Sequence, residues 1–140
     1  MPAKPPPHPP RQPSLRVVDS ITELRPGEDG GCVAVSGSHG GMSSARYALA
    51  ARPLLSVFND AGVGRDAAGI AALAFLQLQG LAACTVAHTS ARIGEATSTL
   101  QDGVVSQTNE AAVALGVHTG LHCRAVVQAL TEGHTPAALP

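Results

Sequence analysis

The chain has 140 residues, the length of one domain, since single domains commonly run about 100–150 residues. Its net charge of −1 and 2% of aromatic residues lack the basic stripe and stacking platforms of nucleic-acid binders, so we expect no nucleic-acid partner. Charged residues make up 14% of the chain, below the roughly 25% usual in soluble domains. This deficit predicts a homo-oligomer that buries part of the surface between subunits.

The cysteines and the hydropathy of the chain bear on its cellular location and on membrane binding. The three cysteines are widely spaced and form no CxxC pair, which argues against a zinc ribbon and a thioredoxin-like redox site. No apolar run approaches the roughly 18 residues that a transmembrane helix requires. The N-terminus lacks the apolar core of a secretory signal. We therefore expect a cytoplasmic protein without a membrane partner.

Residues 1–14 contain many of the chain's prolines and few apolar side chains. This composition predicts a disordered or polyproline II tail, because such a segment cannot offset the entropy lost on ordering. A peptide-binding partner for the tail is the alternative. Residues 15–130 are predicted to form a single α/β domain, and residues 131–140, which contain Gly133 and two prolines, a flexible C-terminal tail.

Along the domain, short apolar segments typical of strands alternate with segments whose apolar residues recur at helical spacing. A helix from about residue 43 should stop before Pro53, and Asp66 should provide the N-cap of the next helix. The segment 121–130 fits either a strand or a helix, and its β-branched Val126 and Val127 favour a strand. The predicted strands are 15–24, 32–36, 54–58, 81–87 and 121–130, and the predicted helices are about 43–52, 67–79, 93–101 and 104–115.

Strands and helices that alternate in this way are typical of parallel sheets with right-handed crossovers. The predicted fold is an α/β three-layer sandwich, with a mostly parallel sheet of about four or five strands and helices on both faces. Gly69, in the first turn of a predicted helix, indicates close approach to a neighbouring strand or to a ligand.

Three of the predicted strands end in polar residues, and ligands of parallel sheets bind beyond the carboxyl ends of the strands. The second strand leads into Ser36–His39, the third into Asn59 and Asp60, and the fourth into residues 88–92. We expect these three loops to meet at one edge of the sheet and to form a ligand site.

The residue types suggest roles within that site. Histidine exchanges protons near neutral pH, and a carboxylate can orient a histidine or take the proton itself. Backbone N–H groups before a helix, and an arginine, suit an anion. The candidate catalytic residues are His39, Asp60 and His88; the candidate substrate-binding residues are Ser38, Gly40, Gly41, Asn59, Ser90 and Arg92; further candidates are Arg65, Ser106 and Asn109.

Two other chemistries remain open. Ser36–Gly40 half resembles the GxSxG turn of α/β hydrolases, which would make Ser38 a nucleophile and His88 its base. His39, Asp60, His88 and His122 are suitable metal ligands, but none has the close spacing of a metal motif, and we expect no metal. The patterns GxxxxGK[ST] and GxGxxG are absent, so no nucleotide cofactor is expected.

The sequence thus predicts a small, cofactor-independent enzyme. It would act on a small anionic metabolite by acid/base chemistry, as a lyase, isomerase or hydrolase. The alternative is a non-catalytic protein, either a ligand-binding protein or the small accessory subunit of a larger enzyme. An apolar helix at 67–79 is compatible with that alternative, because its outer face would need a covering partner.

Overall fold

Five strands form one sheet in the computed structural model, which describes residues 12–136. Along the sheet, the strands follow their order in the chain, and the first four are parallel to one another. The fifth strand pairs antiparallel with the fourth. The strands are β1 (Leu15–Val18), β2 (Val33–His39), β3 (Leu55–Asn59), β4 (Ala82–Val86) and β5 (Val105–Thr108).

Helices cover both faces of this sheet, so the predicted three-layer α/β sandwich with a mostly parallel sheet is confirmed. Alternate residues of each strand point to opposite faces: on β2, Val33 and Val35 enter one core and Ala34 the other. The helices are α1 (Met42–Ala51) and α2 (Ala71–Leu78) on one face, and α3 (Ala96–Asp102), α4 (Glu110–Ala114) and α5 (Cys123–Thr131) on the other.

The helix predicted over 104–115 is wrong. Residues 105–108 form β5, and α4 begins only after Asn109. The Asn109 side chain accepts the N–H of Ala112 as an N-cap and also the N–H of Ala83 in the neighbouring strand. One buried asparagine therefore ends the strand and begins the helix. The helical spacing of apolar residues across this boundary between β5 and α4 was coincidental.

The strand favoured over 121–130 is also wrong, because residues 123–131 form helix α5. Its buried residues recur at intervals of three and four, which places one apolar stripe against the sheet. This packing outweighs the weak strand preference of the two β-branched valines. The buried residues of α5 are Cys123, Val126, Val127 and Leu130.

Several boundaries differ from the predictions. Strand β1 ends at Val18, and Ser20 begins a single 3₁₀ turn closed by a reciprocal hydrogen-bond pair with Glu23. Asp66 is not an N-cap, because it lies in a 3₁₀ turn (Arg65–Ile70) with a positive φ and α2 begins only at Ala71. Helix α3 begins at Ala96, three residues after the predicted start at about residue 93.

The ends of the chain are described only in part. Most of the predicted proline-rich tail, residues 1–11, lies outside the described residues, as do residues 137–140. Thr131, the first residue of the predicted C-terminal tail, is the last residue of α5. Between residues 12 and 136, the helices are too short to cross a membrane.

Candidate functional site

The carboxyl ends of β2, β3 and β4 lie side by side, and two clefts open along this edge of the sheet. The larger, here the His88 cavity, has a volume of about 500 Å³, within the range of roughly 300–1,000 Å³ usual for small-molecule sites. The smaller, here the Ser44 cleft, has a volume of about 190 Å³. The His88 cavity is lined by Asn59, Ala61, residues 88–93, Ser98 and Asp102; the Ser44 cleft is lined by residues 20–22, Ser38, His39, Ser43, Ser44 and Tyr47.

Asp60 and His88 form a hydrogen-bonded pair, and His88 lines the larger cavity. Asp60 directly follows β3, and its oxygen Oδ1 lies 3.3 Å from Nδ1 of His88. The same oxygen accepts the backbone N–H of His88 at 3.0 Å and that of Gly62 at 2.8 Å. The carboxylate is buried, whereas the His88 side chain is 55% exposed and faces the cavity. Asp60 is therefore placed to orient His88.

The pKa of Asp60 lies below its ordinary value of 3.8. Burial is the largest influence and would raise the pKa, but hydrogen bonds from Gly62, Ser106 and His88 together outweigh it. Those hydrogen bonds favour the charged form, because a carboxylate accepts them best when ionised. Asp60 is consequently a fixed negative charge near neutral pH and not a group that gives up or takes a proton there.

This charge determines which ring nitrogen of His88 is available. With the carboxylate as acceptor, Nδ1 of His88 carries the hydrogen in the neutral ring, and Nε2 is left with a lone pair. The tautomer is assigned from this hydrogen-bond partner. An imidazole held in this way presents a basic nitrogen away from the carboxylate that orients it, as a general base requires.

Ser106, one of the further candidates, supports the pair from β5. Its hydroxyl donates to Oδ2 of Asp60 at 2.8 Å and lies 2.9 Å from the hydroxyl of Thr85. Because β5 runs antiparallel to β4, its first residues lie at the same sheet edge as the ends of β3 and β4. Reading residues 105–108 as a strand would have placed Ser106 beside Asp60.

The loop that follows Asp60 is conformationally strained. Ala61, Val63, Asp66 and Ala67 all have φ between 52° and 68°, a region that residues with a Cβ rarely adopt. Each such residue costs of order 1–3 kcal/mol and persists only where its surroundings impose it. Strain of this kind clusters at functional sites, and here it lies beside His88, whose ring contacts the position of Gly62.

Gly69 anchors the far end of this loop. A Cβ at this position would collide with the backbone carbonyl oxygen of Asp60. The sequence predicted that Gly69 approaches a neighbouring strand or a ligand; the close approach is to Asp60, the residue directly after β3. Only glycine lets the loop return so closely to the residue that orients His88.

Arg92 and Asp102 bring opposite charges to the cavity wall. The Arg92 side chain is 83% exposed, and its nearest carboxylate partner, Glu95, lies 3.9 Å away, at the limit of an ion pair. A guanidinium this weakly engaged is free to bind an anion in the cavity. Asp102 offers a carboxylate that can accept a hydrogen bond from the same ligand.

Asn59 and Ser90 build the cavity wall through internal hydrogen bonds. The Asn59 amide is fully buried and binds the carbonyl of Ala91 and the N–H of Ala61. The Ser90 hydroxyl donates to the carbonyl of Ala87 and accepts the N–H of Val104. Both predicted substrate-binding residues thus line the cavity, with their hydrogen-bonding groups already engaged within the fold.

The other sequence-predicted residues lie away from His88. Ser38 and His39 line the Ser44 cleft, and Ser38 accepts the backbone N–H of Ile21 at 2.9 Å. Gly41 lies against the His39 ring as the N-cap residue of α1. Gly40 is packed beneath the carbonyl oxygen of Gly69. His39 pairs in register with Asn59, but it lines a different cleft from His88.

This separation bears on the alternative chemistries. A hydrolase arrangement would need Ser38 beside His88, but the two side chains line different clefts. Among residues 12–136, no three histidine, cysteine, aspartate or glutamate side chains converge as a group able to hold a metal ion. His122 is the N-cap residue of α5 and lines a different cleft from His88.

Comparison with known proteins adds no assignment. No protein-family model matches the chain, and neither a curated protein nor a solved structure shows significant similarity to it. The functional interpretation therefore depends on the geometry of the two clefts.

Proposed function

We propose that the protein is a cofactor-independent enzyme that transforms a small anionic metabolite by acid/base chemistry in the His88 cavity. The observation that carries the proposal is the Asp60–His88 hydrogen bond at a cavity that also holds a weakly engaged arginine. A buried carboxylate that orients a partly exposed imidazole is a frequent arrangement for proton transfer.

In this proposal the work is divided among three side chains. Arg92 binds the anionic group of the substrate and so fixes its position in the cavity. His88 takes a proton from the substrate through Nε2 and returns it at another atom or to a leaving group. Asp60 stays ionised, holds His88 in the required tautomer and stabilises the imidazolium that forms. Lyase, isomerase and hydrolase reactions all use such a transfer.

The two charged side chains in the wall of the His88 cavity restrict the kind of substrate that it would bind. Arg92 favours a carboxylate or phosphate, whereas Asp102 favours a hydrogen-bond donor on the same molecule. A small carboxylate that also carries a hydroxyl or amino group satisfies both. The cavity volume of about 500 Å³ suits a metabolite of this size better than a nucleotide cofactor with its substrate.

A ligand screen followed by two variants tests the proposal. Thermal unfolding with a panel of small carboxylates, cyclic amides and phosphorylated metabolites should identify a stabilising ligand. A ligand at about a hundred times its dissociation constant adds roughly 2.7 kcal/mol of stability, a visible shift in melting temperature. Proton NMR of that ligand in deuterated buffer then detects hydrogen exchange or conversion, whichever type of reaction takes place.

The variants separate binding from catalysis. Arg92→Ala should abolish the ligand-induced shift, whereas the exposed Arg124→Ala on α5, outside both clefts, should leave it intact. His88→Gln keeps a donor toward Asp60, so it should preserve the shift while turnover falls by about 10²–10⁴-fold. Unchanged turnover in His88→Gln would remove His88 from the mechanism.

The second candidate function is a non-catalytic ligand-binding protein or an accessory subunit, and one observation is compatible with it. Leu78, at the end of α2, is 85% exposed, and a leucine this exposed suits contact with another chain. The same surface suits the homo-oligomer that we propose for the enzyme. Light scattering distinguishes the two: a closed homo-oligomer of the pure protein supports the enzyme, and an aggregating monomer supports a missing partner.

A further inference from the structure

The Ser44 cleft lies between the 3₁₀ turn after β1 and the start of α1, and the proposed acid/base chemistry does not use it. Hydroxyl groups dominate its lining, which includes Thr22, Ser38, Ser43, Ser44 and Tyr47. His39 contributes an imidazole. A wall of donors without a carboxylate among its lining residues is suited to an anion.

Ser44 places a largely buried side chain in the wall of this cleft. It is only 5% exposed, and it lines the cleft. Its hydroxyl makes no hydrogen bond to another residue among 12–136 and is not fully enclosed, so it faces the cleft. The Ser44 hydroxyl is therefore available to a ligand that enters the cleft.

The first turn of α1 adds a second source of donors. Gly41 is the N-cap residue, no side chain caps the helix, and no acidic residue lies in its first turn. The unsatisfied N–H groups and the helix dipole at such an end favour a negative charge. Helix α1 has ten residues, enough for a developed dipole.

The volume of the Ser44 cleft and the charges around it indicate the size of the ligand. At about 30 Å³ for each water-sized group, the cleft of about 190 Å³ accommodates roughly six non-hydrogen atoms. A phosphate group has five. Glu23, the acidic residue of the adjoining turn, directs its carboxylate to the backbone N–H of Ser20.

We propose that the Ser44 cleft is a binding site for a phosphate-sized tetrahedral oxyanion. The hydroxyls of Ser44 and Ser43 and the N–H groups of the first turn of α1 hold the anion, and His39 lies over Gly41 at its side. The Ser44 cleft shares no lining residue with the His88 cavity, so this site is distinct from the one proposed for catalysis.

Calorimetric titration of the full chain with inorganic phosphate, at constant ionic strength, tests this assignment. We expect saturable binding that weakens at least tenfold in Ser44→Ala. Ser98→Ala is the matched control, because Ser98 is likewise the third residue of its helix but lines the His88 cavity. The component of phosphate binding that Ser44→Ala weakens should be unchanged in that variant and in Arg92→Ala, which removes the arginine of the His88 cavity.

Ser44→Asp gives an independent readout. Its carboxylate would occupy the place of the anion, so the variant should lose phosphate binding and gain thermal stability in phosphate-free buffer. If this variant does not fold, Ser44→Ala alone decides. Absence of saturable binding to the unmodified protein, or equal binding to Ser44→Ala, would overturn the proposal, as would binding lost only in Arg92→Ala.

Glycerol phosphate, titrated in parallel, identifies the source of the anion. Binding of both ligands to the Ser44 cleft would indicate the phosphoryl group of a small metabolite, since the rest of the molecule must then project from the cleft. Binding of inorganic phosphate alone would indicate the free anion. Either result, with its loss in Ser44→Ala, supports the oxyanion site.

Discussion

Four hydrogen bonds converge on the carboxylate of Asp60, three of them on one oxygen. Two come from backbone N–H groups, whose positions are set by the loop after β3 and by the end of β4. The arrangement differs from a surface ion pair, because a buried carboxylate with this many donors is held in place by the fold itself.

Asp60→Asn should lower the free energy of unfolding near neutral pH by about 1.5–3 kcal/mol, the range for hydrogen bonds to a charged group. Urea denaturation measures the difference. Asp66→Asn is a suitable control, because Asp66 is exposed and an asparagine tolerates its positive φ. Equal stability of Asp60→Asn and the unmodified protein would show that the charge is unimportant for folding.

The same substitution should alter the dependence of stability on pH. The pKa of Asp60 in the folded protein is lower than the ordinary value of 3.8, which we take for the unfolded chain. The stabilisation by this carboxylate is then complete above pH 3.8 and is lost as the pH falls through the lower, folded value. Denaturation curves recorded along an acid series should therefore converge for Asp60→Asn and the unmodified protein.

Some of the site could be anticipated at the scale of residues. Asp60, His88 and Arg92 follow neighbouring parallel strands, and this topology alone brings them to one edge. The direction of His39 could not be anticipated. The pairing of β2 with β3 shifts register between Val35 and His39, and no local sequence rule reports such an irregularity.

The strained loop between β3 and α2 lowers the stability of the fold, and this effect can be measured apart from its contribution to the site. Four of its non-glycine residues have positive φ, and the loop is held by hydrogen bonds such as that from the N–H of Gly69 to the carbonyl of Val63. A loop of this type is expected to be costly for the fold and useful for the site.

Ala67→Gly should therefore stabilise the protein by about 0.5–1 kcal/mol. A left-handed conformation costs roughly 1–2 kcal/mol for a residue with a Cβ, and glycine's greater freedom in the unfolded chain offsets about 0.4–1 kcal/mol of that relief. Ala67 is exposed, so the change removes little packing. Differential scanning calorimetry measures the effect.

A helical alanine gives the matched control for that change. Ala74 is exposed on α2, where φ is negative, and Ala74→Gly should destabilise the protein by about 1 kcal/mol. If both glycine variants were destabilised alike, the loop would not carry the strain that its φ values indicate.

The errors made at the scale of elements have physical causes. A window of ten to twelve apolar and polar residues can satisfy both a helical and an extended pattern. Over 121–130, the spacing of Cys123, Val126 and Val127 was a better guide than the β-branching of the two valines. Over 104–115, the boundary depends on Asn109, whose tertiary hydrogen bond to Ala83 leaves no mark in the local sequence.

At the scale of the whole molecule, the three free cysteines can be used to detect unfolding on both faces of the sheet. Cys32 is buried beneath α1 and α2, whereas Cys84 and Cys123 are buried on the opposite face. Burial, with a smaller contribution from the Asp29 carboxylate, raises the pKa of Cys32 to about 11, and burial raises that of Cys123 to about 12. Thiols in this state react poorly, because the thiolate is the reactive form.

We expect timed alkylation, read by mass spectrometry in mild urea, to modify all three cysteines at one common rate. A common rate is the behaviour of a single domain that unfolds cooperatively, as predicted for residues 15–130. Faster modification of Cys32 alone would contradict this, since it would show that the α1–α2 layer opens separately.

Each strand of the sheet pairs with the strand that precedes it in the chain. Pairing between segments near in sequence closes short loops, and short loops close fastest. Strands β1 to β4, with α1 and α2, can therefore assemble in the order in which a ribosome delivers them. The opposite layer forms later, because α3, α4 and α5 follow β4 in the chain, and Ala96 at the start of α3 then donates its N–H to Asp19. The His88 cavity needs Ser98 and Asp102 in its wall and Ser106 behind Asp60, so it is completed late in synthesis.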